Sequence, residues 1–480
     1  MKSPRTTADG VFPKRFPKKS GRAEQVNRRQ DLRLAIGAII FSIGVIIFSS
    51  CQPKKQISFA ADVAPIIYQH CSNCHHPGTA APFNLLTFQD AAKRSLTIKA
   101  VIDKHIMPPW PADPSYSHFC DENFLSREEI QTIDHWVDQG SLPGDLTKVP
   151  AVPSFPKGSL IGTPDLTLHI KPFLVKGDNT DRFMVMKIPF ELPRDTFIRA
   201  IEFVPGCKYI HHVNGHLICF DDRKKKDVFD GDYVLDTKDE TRDDVLKKMQ
   251  LLNDDGSNPR KELSATNYLP GVFGTIYPEG IGGFFTTKEN LVYLNDIHYG
   301  PSSEDVLDTS YVNIFFSNKP PVRPTKEIQL GTLGVSDIIP PLVIQPDTVM
   351  TFVTRAKILN DISLLTINPH MHLLGKSFLA YAIEPNGDTI PLIRIRNWDF
   401  RWQYFYTYKK MLHIPAGSII EVVAVMDNTL SNPNNPNHPP KQVEGRNGSM
   451  RSSDEMLQFI MTFLPYQAGD ENISLEISEP

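Results

Sequence analysis

From about residue 160 onward the chain shows little long helical periodicity, and short β-rich runs separated by Pro, Gly and Asn turns dominate instead. Phe197 to Phe203, Tyr209 to Phe220, Leu291 to His298, Tyr311 to Phe316, Ile419 to Met426 and Met456 to Leu464 are examples. Runs of this kind read as strands, and roughly 320 residues of them exceed one β-sandwich of about 100 residues. The expectation is two tandem all-β sandwiches, over residues 163–328 and 329–480, divided where Pro320, Pro321 and Pro324 break the pattern. The Lys224-Lys225-Lys226 run and the stretch from Asp236 to Asp244 read as solvated loops.

Residues 1–33 carry ten Lys/Arg against three Asp/Glu in a chain of 480 residues with formal charge -4, so the body is acidic. An acidic body without a basic stripe argues against a nucleic-acid partner. Leu34 to Ser50 is apolar or small, uncharged, and runs into Cys51. A basic leader, an apolar core and small residues before a cysteine form the pattern of an export signal. Segment 1–50 resembles a bacterial lipoprotein signal, with Cys51 as the acylated first mature residue; an uncleaved N-terminal anchor helix is the alternative. Either places the body in the cell envelope, outside the cytoplasm and attached to a membrane.

Phe59 to His70 is a short helical pattern that runs into Cys71-Ser72-Asn73-Cys74-His75. CxxCH is the attachment motif of c-type haem: two thiols take up the vinyl groups and the histidine becomes an axial iron ligand. In an exported chain the motif is a strong signal. A second axial ligand is expected from Met107, in Ile106-Met107-Pro108-Pro109-Trp110, with His105 as its rival. A thioether ligand raises the reduction potential and suits electron transfer. Ser126 and Glu129 form a capping box, followed by Ile130, Ile133, Trp136 and Val137 at helical spacing, which predicts a terminal helix packed on the first. Residues 51–148 therefore resemble a small all-α cytochrome c domain carrying one haem c, joined to the β region by a Pro-rich linker over 149–162.

The β region carries histidines in a pattern. His370 and His372 flank Met371, and i and i+2 on a strand share a face. His211 and His212 are adjacent, His298 precedes Tyr299-Gly300, and Met456 follows Glu455. Five histidines and one methionine make two three-donor sets, which suits two copper ions. A thioether favours Cu(I), whereas zinc prefers Cys, His and carboxylate. Neighbours on a regular strand face opposite ways, so His211 and His212 can share a metal only at a bulge, twist or strand end; otherwise His216 is the spare donor. His169, His413 and His438 read as structural or surface residues. Cys207 and Cys219 flank the His211-His212 pair and could bridge in an oxidising compartment.

In chain order, HH at 211–212, HYG at 298–300, HxHLLG at 370–375 and EM at 455–456 resemble the copper type II, ascorbate-dependent monooxygenases, the group of peptidylglycine hydroxylating monooxygenase and dopamine β-monooxygenase. The resemblance implies two jelly-roll-like sandwiches facing across a solvent cleft, one copper on each. His211, His212 and His298 would hold an electron-transfer copper; His370, His372 and Met456 would hold the copper that meets O2 and an organic substrate. It further implies insertion of one oxygen atom into a C–H bond with ascorbate or a redox protein as reductant; the fused haem departs from that pattern, and the expectation is that it feeds electrons to the coppers in place of, or alongside, the soluble reductant. In the peptide-amidating members an arginine two residues before the HxH histidine and a tyrosine four after the methionine bind the substrate carboxylate. Asn368 and Ile460 stand there in this chain. Loss of a bidentate cation is not conservative, so glycine-extended peptides are not the expected substrate. The competing readings are a haem and copper electron-transfer protein without hydroxylase activity, and a binding sandwich whose histidines are incidental.

Overall fold

The computed structural model describes residues 56–155, 158–221, 223–238, 240–272, 276–286, 291–445 and 451–476. Internal contacts divide the chain into Met1–Gln56 and Ile57–Pro480, and the second unit holds the architecture below. The leader and Cys51 lie outside the described residues. Among the described residues no helix is long and apolar enough to cross a membrane.

A small helical region comes first. A π-helical turn, Phe59–Val63, leads into α1 (Ala64–His70), and α2 (Phe88–Lys93), α3 (Ser95–Asp103) and α4 (Arg127–Asp138) follow. The Ser126 capping box on α4 forms as its sequence predicts: the hydroxyl accepts from Glu129 N–H and the Glu129 carboxylate accepts from Ser126 N–H. Ile133, Trp136 and Val137 are buried on one face of α4. That face meets the first turn, with the rings of Phe59 and Trp136 6.2 Å apart, so the terminal helix does close on the first. Removing the Trp136 side chain from this core would cost about 3–5 kcal/mol.

The segment after α3 leaves the helices and joins the β core. Ala112 and Phe119 are buried in the same apolar cluster as strand residues Phe378, Ile395 and Tyr406, and they form single β-bridges to Ile395 and Tyr408. The Asp113 carboxylate receives both Arg394 and Arg396. The helical region is thus seated on the β region upstream of the Pro-rich linker.

The rest is mostly β, and among the described residues the named strands pair antiparallel, with one isolated parallel bridge between Ile281 and Arg323. The first half contains β1 (Leu166–His169), β2 (Phe173–Val175), β3 (Arg182–Phe190), β4 (Thr196–Val204), β5 (Ile210–Cys219), β6 (Val234–Asp236), the helix α5 (Arg242–Lys248), β7 (Arg260–Tyr268), β8 (Phe284–Thr286), β9 (Leu291–Tyr299), β10 (Val306–Asp308) and β11 (Tyr311–Ser317). Sheets of order β1-β11-β4-β8 and β6-β3-β9-β5-β7 share one core, which includes Ile188, Phe203, Val213, Tyr293 and Ile314.

The second half contains β12 (Lys326–Gly331), β13 (Ile338–Ile339), β14 (Val343–Ile344), β15 (Thr348–Lys357), β16 (Ile362–Met371), β17 (Gly375–Ile383), β18 (Thr389–Ile395), β19 (Tyr406–Ile414), β20 (Ile419–Asn428), β21 (Val443–Glu444) and β22 (Leu457–Pro465). Here the sheets run β12-β22-β16-β19 and β13-β15-β20-β17-β18, around Phe352, Leu364, Ile367, Phe378 and Phe459. The second half begins at Lys326, since β12 pairs along its length with β22.

One expectation fails here. Cys207 precedes β5 and Cys219 ends it, so roughly 30 Å of strand separates them at about 3.3 Å per residue. A disulfide needs Cα atoms within about 7 Å. Both cysteines are free thiols.

Candidate metal centre

His211 and His212 sit at the start of β5, and His298 lies on the neighbouring β9. In the register Ile210 pairs with Tyr299 and His212 with His298, with a shift between Ile210 and His212. His211 is the extra residue of a bulge, the irregularity that lets adjacent histidines serve one site. The glycine of the HYG motif has a steric reason: a Cβ on Gly300 would collide with His211 Nε2. The His298 ring stands 5.0 Å from the rings of both His211 and His212. Its Nε2–H donates to Asp181 Oδ1 at 2.8 Å, and its face stacks on Phe183 at 4.4 Å. A histidine fixed through one nitrogen presents the other to a metal.

The Nδ1 atoms of His211, His212 and His298 are all buried without a hydrogen-bond partner. Three orphaned imidazole nitrogens would each be costly unless something bound them. Burial, and then His298, push His211 down to about 4, so the imidazole is neutral and able to ligate at ordinary pH. Asp181, His211 and His298 bring candidate ligand atoms within 4.8 Å of one another. His216 lies elsewhere on β5, opposite Leu294, with Nε2 3.3 Å from Asp296, so it is not part of this set.

The second set is built where β16 ends. His370 lies opposite Gln458 and Met371 opposite Leu457, the last pair of the register, and Met456 immediately precedes β22. The rings of His370 and His372 are 5.1 Å apart, and Met456 is 6% exposed. His372 Nδ1–H donates to the Asp454 carbonyl at 2.8 Å, leaving Nε2 for a metal. Burial, and then His372, push His370 down to about 3.

Glu455 anchors this turn. Its buried carboxylate accepts from the N–H groups of His372 at 3.0 Å, Leu374 at 2.7 Å and Met456 at 3.3 Å. A single side chain therefore ties the HxHLLG loop to the methionine. Gly375 is required by close packing, because a Cβ there would strike the Trp398 ring.

The two sets are not parted by an open cleft. The Phe400 ring lies 5.9 Å from His212, 5.7 Å from His298 and 5.6 Å from His372. His370 and His372 are near enough to act electrostatically on buried His212. The solvent-filled gap implied by the sequence resemblance is closed here by one aromatic side chain.

Around the CxxCH motif, His75 Nδ1–H donates to the Phe83 carbonyl at 2.9 Å, which directs Nε2 outward as an axial ligand would require. Burial pushes the Cys71 thiol up to about 12 and the Cys74 thiol up to about 11. Met107 is half-buried, whereas His105 is exposed in a left-handed backbone conformation, φ 52°. The remaining histidines behave as expected: His169 packs on Tyr311 and His413 stacks on Tyr466, and His438 is exposed.

Asp181, Phe183, Phe400 and Gln403 were not singled out by the sequence, and Glu455 entered only as part of the EM motif. Glu455 stood beside a named ligand, and Phe400 stood in a run with an aromatic residue at every second position from Trp398 to Tyr408. That alternation reads as a strand signal, yet the strand begins only at Tyr406 and Phe400 lies in the turn before it.

No family model matches the chain, and no curated protein matches it. Among solved structures, the infectious bursal disease virus Gx strain aligns at 8% identity over 64% of this chain and 74% of that one, with a TM-score of 0.15. The VP2 subviral particle of the same virus aligns at 9% identity over 68% and 76%, with a TM-score of 0.17.

Proposed function

We propose that this chain is a haem-fused, copper-dependent monooxygenase related to the ascorbate-dependent copper type II group, its two β halves being tandem jelly-roll-like sandwiches. The observation that carries the reading is the gathering of histidine rings into two groups, His211, His212 and His298 in one and His370 and His372 in the other, with Met456 tied to the second through Glu455. His211, His212 and His298 would hold one copper, and His370, His372 and Met456 the other. Three imidazoles suit both copper oxidation states, and a thioether favours Cu(I). Bound there, the metals would supply the two electrons and the oxygen activation that side chains lack.

The chain's own part is positioning. Asp181 fixes the His298 tautomer, the Asp454 carbonyl fixes that of His372, and Glu455 holds the loop that carries them. Phe400 keeps water out from between the sets. Cys71, Cys74, His75 and Met107 would hold the haem, and Cys51 would tether the protein to a membrane outside the cytoplasm. O2, an organic substrate and a reductant, either ascorbate or a redox protein, are the proposed partners.

The closed packing around Phe400 favours a second reading, an electron-transfer protein that hydroxylates nothing. Metal analysis and optical spectra of protein matured in an exporting, haem-attaching host test both. Two coppers per haem are expected, with His298→Ala and Met456→Ala each weakening a different copper, and oxygen uptake coupled to substrate loss separates enzyme from electron carrier. One copper or none beside an intact haem sinks the monooxygenase reading.

A further inference from the structure

The loop after Met107 and the strand that carries His370 meet at one residue, Tyr404. Its hydroxyl donates to the Pro109 carbonyl, two residues beyond Met107, and its ring stands 5.4 Å from that of Trp110. On its other side, the Tyr404 carbonyl accepts from Asn368 Nδ2 at 2.9 Å, and Asn368 lies two residues before His370 on β16. Gln403, next to Tyr404, faces His370. Cys74 is close enough to raise the Tyr404 hydroxyl beyond what burial alone does.

We propose that Tyr404, with Trp110 packed against it, is the bridge through which electrons pass between the haem-attachment region and the His370/His372 set. The proposal rests on the function reading above. Oxidation of one ferrous haem balances reduction of one cupric ion, with no bond broken and no proton exchanged. Electrons tunnel more readily through covalent and hydrogen bonds than across van der Waals gaps. The hydrogen bond from Tyr404 to Pro109 and the one from Asn368 to Tyr404 replace two such gaps, leaving a bonded path from the Met107 loop to the strand of His370.

The surrounding contacts hold that path rigid. Asp113 N–H donates to the Arg394 carbonyl at 2.8 Å and Cys120 N–H to the Thr407 carbonyl at 2.7 Å. The position where the peptide-amidating enzymes would carry an arginine thus has a structural task here. Asn368 secures the residue that meets the haem region.

The test uses the full mature protein loaded with haem and copper. An electron is injected photochemically into the haem, and haem reoxidation is followed by absorbance in copper-loaded and copper-free samples; the copper-dependent phase reads intramolecular transfer. Tyr404→Phe keeps the ring and removes only the hydroxyl, and Trp110→Leu removes the packed ring. Each is expected to slow that phase by about tenfold or more, a change of about one decade in rate. The haem spectrum, the cupric EPR signal and the copper content should be unchanged. Tyr408→Phe, whose hydroxyl bonds the Leu392 carbonyl off the route, should leave the rate as it was. Unchanged rates in Tyr404→Phe and Trp110→Leu with both metals in place overturn the bridge alone. A protein that takes up no copper overturns the function reading and the bridge with it.

Discussion

At the scale of single residues, the motifs separate into donors and the groups that make room for them. Gly300 is there because the His211 imidazole occupies the space of a side chain. Gly300→Ala is expected to displace that ring, weakening copper at the first set more than at the second, with a loss of about 1–3 kcal/mol from overpacking. Copper titration and thermal melts of the apo-protein check both parts. Glu455→Gln places an amide where three N–H groups converge. It should destabilise the fold by about 1–3 kcal/mol and lower copper affinity at the second set first. Unaltered copper binding in that variant would mean the loop holds itself. The histidines that gather into the two groups were legible as candidates because soft-metal chemistry admits few residue types, and Met456 entered with its neighbour Glu455. Asp181 and Phe400 were not legible, because a carboxylate or a phenylalanine has many uses and only the third dimension brings them to the histidines.

At the scale of elements, the turn-punctuated runs foretold strands, and antiparallel sheets are what the chain forms. The bulge at the start of β5 is one of the irregularities, with a twist or a strand end, that the adjacent His211 and His212 needed in order to face one site. The pairing of Cys207 with Cys219 failed because proximity in sequence was set against a ten-residue strand. Arg323, in the connection between β11 and β12, pairs with Asp470 near the end of the described chain, with nitrogen–oxygen distances of 2.6 and 2.7 Å. The hydrogen bond from Arg323 outweighs burial and, with Ser363, holds Asp470 down to about 2. A depressed carboxylate contributes stability above its ordinary value near 3.8, and loses that contribution as pH falls through about 2. Asp470→Asn is therefore expected to cost on the order of 3 kcal/mol at neutral pH, with the difference from the parent shrinking as the pH falls through that window. A difference that stays constant in acid melts would count against the ion pair.

At the scale of the whole molecule, the Pro-rich stretch after the helical region looked like a tether, yet the helical region is seated on the β core by Ala112, Phe119 and the Asp113 ion pairs. A single proteolytic cut between residues 149 and 155 should leave the two fragments together on native size exclusion and release them only on denaturation. Free migration of a haem-bearing fragment would show that the seat is weak. Sequence could not reveal this docking, because residues 109–122 carry no periodicity of their own and take their structure from the sheets they join.

The close fit of Cys74 against Gly271, where a Cβ would collide with the sulfur, and the Cys74 thiol's contact with the Pro270 carbonyl at 3.4 Å bear on biogenesis. The attachment cysteines precede the β halves in the chain, and the folded β region then covers one of them. On the proposed reading, haem would join Cys74 before the first β half closes, and the order of residues along the chain would then also be an order of assembly. An apo-protein allowed to fold first should accept haem more slowly than one still unfolded.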